Sequence, residues 1–282
     1  MVGRLRAIWL YRELLAGLVR KELKVKYKNS ALGFFWSMLN PALYLVVFYI
    51  VFVKILGTGI PEFPIYLLSG LLVWNMFSTS LAAATDAVVG NSAIVKKVAF
   101  PREILVFAAV GASLVHFFLQ AAVLLGALAV FQHAPAPTYM ALIPFALFTL
   151  LLFAAALGIL LAAVNVYARD TQHLLELVLL AWFWMTPIVY EYQRAGMGLG
   201  DNAWIYRLNP ITPIVLTFQR AIYAKVSPFN PATGQPLPIL PDGVGPLWYL
   251  GQLAGVAAFS GVLLCVALHV FGRLEGNFAE EL

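Results

Sequence analysis

The sequence predicts an all-helical integral membrane protein, a single transmembrane domain over residues 1–282, and three observations carry that prediction. Six apolar stretches lie near 33–55, 63–86, 104–131, 139–166, 172–190 and 246–271. A helix needs roughly 20 mainly apolar residues to cross about 30 Å of hydrocarbon, whereas barrel strands are about 10 residues long and alternate in polarity. Charged residues make up 11% of the chain and hydrophobic ones 62%, against about 25% charged in a soluble domain. Last, the largest basic cluster precedes the first apolar stretch. Arg4, Arg6, Arg12, Arg20, Lys21, Lys24, Lys26 and Lys28 lie there. Lys96, Lys97, Arg102, Arg169 and Arg273 fall on the same side, making 13 of 18 basic residues. Both termini are therefore expected in the cytoplasm. The net charge of +5 reads as orientation in the membrane and not as nucleic-acid binding.

Residues 4–28 read as an interface helix. Leu5, Ile8, Trp9, Ala16, Val19 and Leu23 form one stripe, with Arg6, Lys21, Lys24 and Lys28 opposite. Such a helix lies in the headgroup plane, and Arg12, which intrudes on the stripe, can snorkel. With no compact apolar core and cleavage site, this segment is not read as a signal peptide. The first span carries Trp36, a candidate interfacial anchor, and Asn40-Pro41, where a kink is expected.

The loop after the second span holds Asn91, Ser92, Ile94, Val95, Lys96, Lys97, Val98, Phe100, Pro101 and Arg102. Asn91 or Ser92 is placed to cap a short helix. Ile94, Val95 and Val98 give it an apolar face rimmed by lysines, and Pro101 stops it. That pattern suits docking into a groove of another protein; a helix lying on the membrane is the alternative. In the third span His116 and Gln120 lie one turn apart and suit an interhelical hydrogen bond.

The fifth span contains Glu176, an ionisable residue within a membrane segment and so a site candidate. Its outer half, with Trp182, Trp184 and Tyr190, reads as an aromatic belt or as a stacking surface for sugar rings. Beyond it, 201–208 and 211–224 read as helical or re-entrant and meet at Asn209-Pro210, a turn signal. Residues 211–218 are too short to cross and are expected to dip into the bilayer, as segments that close a pore from outside do. Residues 227–246, rich in Pro and Gly, read as an external loop. Cys265, the single cysteine, is expected to be a buried apolar residue in the last span.

Chemistry is sparse. The sequence holds no G-x-x-x-x-G-K-[ST] phosphate loop. No paired acids, metal-ligand spacing or Ser-His-Asp arrangement stands out, and no metal is expected. What remains is a bundle with a docking loop and no engine of its own.

The chain resembles the permease subunits of type 2 ABC exporters for bacterial cell-surface polysaccharides: O-antigen, teichoic acid and galactan. The resemblance rests on residues 26–33 leading to Trp36 and Pro41, on residues 94–103, and on Asn209-Pro210-Ile211-Thr212-Pro213 with Arg220. It implies a homodimer in the bacterial plasma membrane, with two copies of a separate ATPase that binds ATP and Mg. This chain itself binds no cofactor and is no enzyme. Residues 91–102 are then the coupling helix, and 196–225 hold external gate helices, with Asn209, Pro210 and Arg220. The implied cargo is a polyprenyl-pyrophosphate-linked glycan. Lys24, Lys26, Lys28 and Arg169 suit its pyrophosphate at the cytoplasmic entrance. Trp36, Tyr44, Trp74, Glu176, Trp182, Trp184 and Tyr190 are the candidates for its path. A drug or lipid cargo on the same plan is the first alternative. A membrane enzyme using Asp86, Asp170 or Glu176 is the second.

Overall fold

The computed structural model describes residues 10–27, 35–193, 196, 205–230 and 233–282. Residues 4–9 of the expected interface helix, the 28–34 stretch with Lys28, and 197–204 of the expected gate segment lie outside them. Among the described residues the architecture is helical, and the only strand-like pairing is an isolated bridge between Phe229 and Pro236.

Four helices are long and apolar enough to cross a membrane: Phe63–Asp86, Glu103–Val130, Pro137–Tyr167 and Pro246–Asn277. They coincide with the second, third, fourth and sixth expected stretches. The remaining two are shorter as regular helices. α1 is Arg12–Tyr27. α2, Trp36–Phe48, runs on through Pro41 and widens into a π-helix, Tyr49–Ile55. The wider turn places Lys54 over the ring of Tyr49, 5.9 Å from its centroid. π-turns of this kind are rare and cluster at functional sites.

α3, Phe63–Asp86, is the hub. It is apolar all round, as a helix buried among others must be, and 72% of its most apolar window lies inside the protein. α4 is Ser92–Val95, α5 Glu103–Val130, α6 Pro137–Met140 and α7 Ile143–Tyr167. α3 packs against α5 and α7. Ala154, Gly158 and Ala162 repeat every fourth residue along α7 and are buried, the small-residue spacing that lets membrane helices approach closely. A Cβ on Gly158 would lie 2.7 Å from that of Ala84 on α3. Asn165 on α7 donates to the Thr85 carbonyl, 3.0 Å, at the end of the same seam.

α8 is Thr171–Trp184, 14 residues with one buried side chain, Leu175. It is about 21 Å long at about 1.5 Å per residue, short of the hydrocarbon thickness. The expected fifth span ran to 190. It stops early because Pro187 cannot continue a helix and disfavours helical backbone at Thr186 before it.

α9 is Ile205–Leu208, and α10, Ile211–Ile222, has 11 of its 12 residues buried. α10 does not lie on the surface; it is inserted against α3, α7 and α6. The loop to the last helix folds back too, burying Leu237, Ile239 and Leu240. α11, Pro246–Leu274, packs along α7, and a short 3₁₀ turn leads to α12, Phe278–Glu281. Only 28% and 22% of the apolar windows of α5 and α11 are buried, so these two are the peripheral helices. Cys265 lies on the exposed face of α11, not in the core as expected, because the buried face there runs through Ser260, Ala267 and Leu268.

Candidate functional site

Three regions gather the candidate residues. At one end of the bundle, the 91–102 loop stands on a fastened base. Lys21 of α1 donates to the Asn91 side chain, whose amide donates to the Ala87 carbonyl at 2.8 Å. Asn91 thus fixes the end of α3 to α1 and makes no side-chain cap on α4. Val95 is buried, and Phe100 packs against the core. Arg102 donates to the Glu275 carbonyl and lies over the Phe278 ring, 5.7 Å from its centroid. Tyr167 donates to the Leu274 carbonyl, 2.9 Å, so the C-terminal tail clamps the loop from the other side. Ile94 and Pro101 are half-buried, while Lys96, Lys97 and Val98 are exposed. The regular helix is shorter than the expected 91–102, and the exposed tip follows it.

α1 meets α5 through Leu14, Leu15, Leu18 and Val19, with Leu18 buried, whereas Ala16 of the expected stripe faces out. A Cβ on Gly111 of α5 would lie 3.1 Å from Val19, so the glycine gives α1 room to pack closely there. A cavity of 320 Å³ between α1, α3 and α5 is lined by Lys21, Glu22, Asp86 and Asn91 among others. Of the expected entrance residues, Lys24 and Arg169 are exposed. The Lys26 side chain and Lys28 lie outside the described residues.

The path candidates divide. Glu176, Leu180 and Trp184 are exposed at successive helical turns of α8, and Trp36 and Tyr44 are exposed on α2. Tyr44 stacks on Phe48, and Phe48 on Phe183 of α8, with centroids 5.9 and 6.2 Å apart. Trp74 and Trp184 both meet Phe183 edge-on. One aromatic ladder therefore joins α2, α3 and α8. Trp74 itself is buried in it. Trp182 points inward, edge-on to Phe77 and Phe153. Gln120 bonds to Asn75 of α3 at 3.2 Å, the interhelical bond its spacing suggested.

At the opposite end, Asn209 is a junction. Its side-chain oxygen accepts from Trp182 Nε1 at 2.8 Å and from the Ile211 N–H at 3.0 Å. Its amide donates to Thr186, 2.9 Å. Pro210 starts α10. Arg220 lies over the Tyr139 ring, 4.4 Å from its centroid, and donates to the Ala224 carbonyl. Tyr190 donates to the Trp184 carbonyl and accepts, through its own carbonyl, from Tyr66 at 2.6 Å. Among the described residues no three His, Cys, Asp or Glu side chains gather to hold a metal ion.

The architecture is thus a hub helix with a buried inserted segment at one end and a fastened basic loop at the other. Residues 13–223 match the family model described as ABC-2 type transporter. The chain belongs to that family. It is 31% identical, over the whole of both chains, to the O-antigen export system permease protein RfbA of Myxococcus xanthus. A Klebsiella pneumoniae protein of the same name is 27% identical over 96% of this chain and 95% of its own. As an ABC-2 permease it is a multi-pass transport protein and not an enzyme.

Sequence reasoning passed over one group in this permease. Glu62, His133 and Lys225 meet at the end opposite the 91–102 loop, with Glu62 bound by both others. Burial pushes the Glu62 carboxyl up, but hydrogen bonds and charge from Lys225 and His133 outweigh it and hold the group below its ordinary value. No sequence signal marks the group, since its members are 71 and 163 positions apart.

Proposed function

We propose that this chain is the channel-forming half of an ATP-driven exporter, carrying polyprenyl-pyrophosphate-linked polysaccharide outward across the bacterial plasma membrane. The single observation that carries the reading is its full-length similarity to O-antigen export permeases. The geometry supports it. The exposed Lys96–Val98 tip stands on a base bonded to α1 and to the tail, so a push on the tip passes directly into α3 and α5. That is what docking to a separate ATPase requires, since this chain has no phosphate loop to bind ATP and Mg itself.

In this reading the chain makes six passes, with α2 and its π-helix as the first and α8 with its irregular continuation as the fifth. Both termini face the cytoplasm. Two copies pair with two ATPase chains, and the exposed faces of α2 and α8 come together around the glycan. Trp36, Tyr44, Glu176 and Trp184 line the path. Trp182 and Trp74 support it from behind. Residues 205–225 close it on the outer side.

The test is a tagged pull-down from native membranes in mild detergent, with the mass of the intact complex. Two copies of this chain with two of a nucleotide-binding chain are expected, with ATPase stimulated by lipid-linked glycan. Intact chain recovered alone, at any stoichiometry, would overturn the assignment.

A further inference from the structure

Three non-glycine residues have left-handed backbone among the described residues: Glu62 (φ 49), Gln132 (φ 49) and Ala224 (φ 64). They sit in three separate loops, and the loops converge. Each is, or immediately precedes, a member of the cluster: Glu62 itself, His133 and Lys225. Left-handed backbone at such residues costs energy and persists only where the surroundings impose it, commonly at switch and ligand sites.

The chemistry at the convergence is specific. One carboxylate oxygen of Glu62 accepts from Lys225 and the other meets His133 Nδ1. His133 Nε2 lies 3.0 Å from the Tyr223 carbonyl. His133 thus bridges the Glu62 carboxylate and the Tyr223 carbonyl, one through each ring nitrogen. The Tyr223 hydroxyl donates to the Pro61 carbonyl at 2.9 Å, and the Ala136 N–H donates to the Ala221 carbonyl at 2.9 Å. Tyr223 also stacks on His133. Glu191 is the other charged group acting on Tyr223. His133 is 5% exposed, but Glu62 and Lys225 are 31% and 34% exposed, so the cluster sits at a solvent edge where water can compete for its bonds.

We propose that Glu62, His133 and Lys225 form an ionic latch that pins the end of α10 to the loops before α3 and after α5, and that opens whenever the external segment moves. The latch as a gate control rests on reading α10 as part of that segment. α10 is held by apolar burial along its length, by the Asn209 junction at its start and by the Gln219 side chain, which donates to the Pro187 carbonyl at 3.2 Å. The latch adds an ionic restraint at its far end, on side chains that are partly exposed.

Hydrogen exchange on the full chain in lipid nanodiscs tests the latch by itself. The Tyr223 and Ala224 amides donate to the Gln219 carbonyl at 2.9 and 3.1 Å. Glu62→Gln or Lys225→Met is expected to speed their exchange about tenfold, the scale of a lost charged hydrogen bond, with little further gain in the double variant. Unchanged exchange, or fully additive effects, would overturn the latch. Its role is read by export. In a Cys265→Ser background, Glu62→Cys and Lys225→Cys are joined by a short bis-maleimide. The linked complex is expected to stop exporting while the unlinked variant exports. Full export by the linked complex overturns the gating role. Were the glycan-export reading wrong, no glycan would move in any form, wild type included, and the exchange difference would remain.

Discussion

Gly158 and Asn209 show how single positions set the geometry. The seam between α3 and α7 closes over Gly158, where a Cβ would meet Ala84 at 2.7 Å between two backbones that cannot yield. Gly158→Val is expected to cost about 1–3 kcal/mol, the usual penalty for overpacking, read as a lower unfolding temperature in detergent. Asn209 ties Trp182, Thr186 and the start of α10 together with three hydrogen bonds. Asn209→Ala leaves the indole N–H without its partner, so a blue shift of the Trp182 emission is expected, isolated from the other tryptophans by difference against Trp182→Phe; unaltered emission would mean water replaces the amide. Glu62 gives a pH dependence with a fixed sign. Its carboxyl is held below the ordinary value in the folded chain, so its contribution is present above the unfolded value and lost as pH falls through the folded one. The unfolding-temperature gap between wild type and Glu62→Gln is expected to be full near neutral pH and to close in acid.

At the scale of elements, the sequence was legible wherever one long apolar run made one helix. α3, α5, α7 and α11 appear where their runs predict, because burial in lipid or protein rewards an uninterrupted helix with every backbone bond made internally. The fifth helix ends at Trp184, before the expected 190: apolar residues continue past it, while Pro187 ends the regular helix by ring geometry that hydropathy does not register. The π-turn at Tyr49–Ile55 left no trace in composition. Residues 91–102 were expected to form a coupling helix, and the regular helix there is Ser92–Val95; its fasteners could not be read from the sequence, since Arg102 finds the Glu275 carbonyl 173 positions away. Those fasteners make a testable distinction. Lys97→Glu changes only the exposed tip, so it is expected to abolish glycan export at unchanged chain abundance. Phe100→Ala also loosens the base, so it is expected to lower the unfolding temperature as well. Normal export in a well-expressed Lys97→Glu strain would remove the tip from the coupling role.

Among the described residues the exposed apolar faces of α8 and α11 differ in composition, and the proposed path follows the α8 face. α11 exposes Leu247, Phe259, Val262 and Val266, an aliphatic-rich face without a charged residue among them, suited to lipid chains. α8 exposes Leu177, Leu180, Trp184 and Met185 on a helix that also exposes Glu176 and is too short to cross alone. An exposed carboxylate on a short helix is costly against hydrocarbon. It is tolerated where a second copy encloses water or a polar cargo. The aromatic ladder through Phe183 then holds α2 and α8 together as one wall. Two cysteine variants in the Cys265→Ser background separate these faces. Leu177→Cys is expected to yield cross-linked pairs of this chain in native membranes with a short bifunctional reagent, and Val262→Cys is expected to stay monomeric under the same treatment. The reverse pattern would put the contact between copies on α11 and leave Glu176 facing away from any shared channel, removing Trp184 and Tyr44 from the path with it.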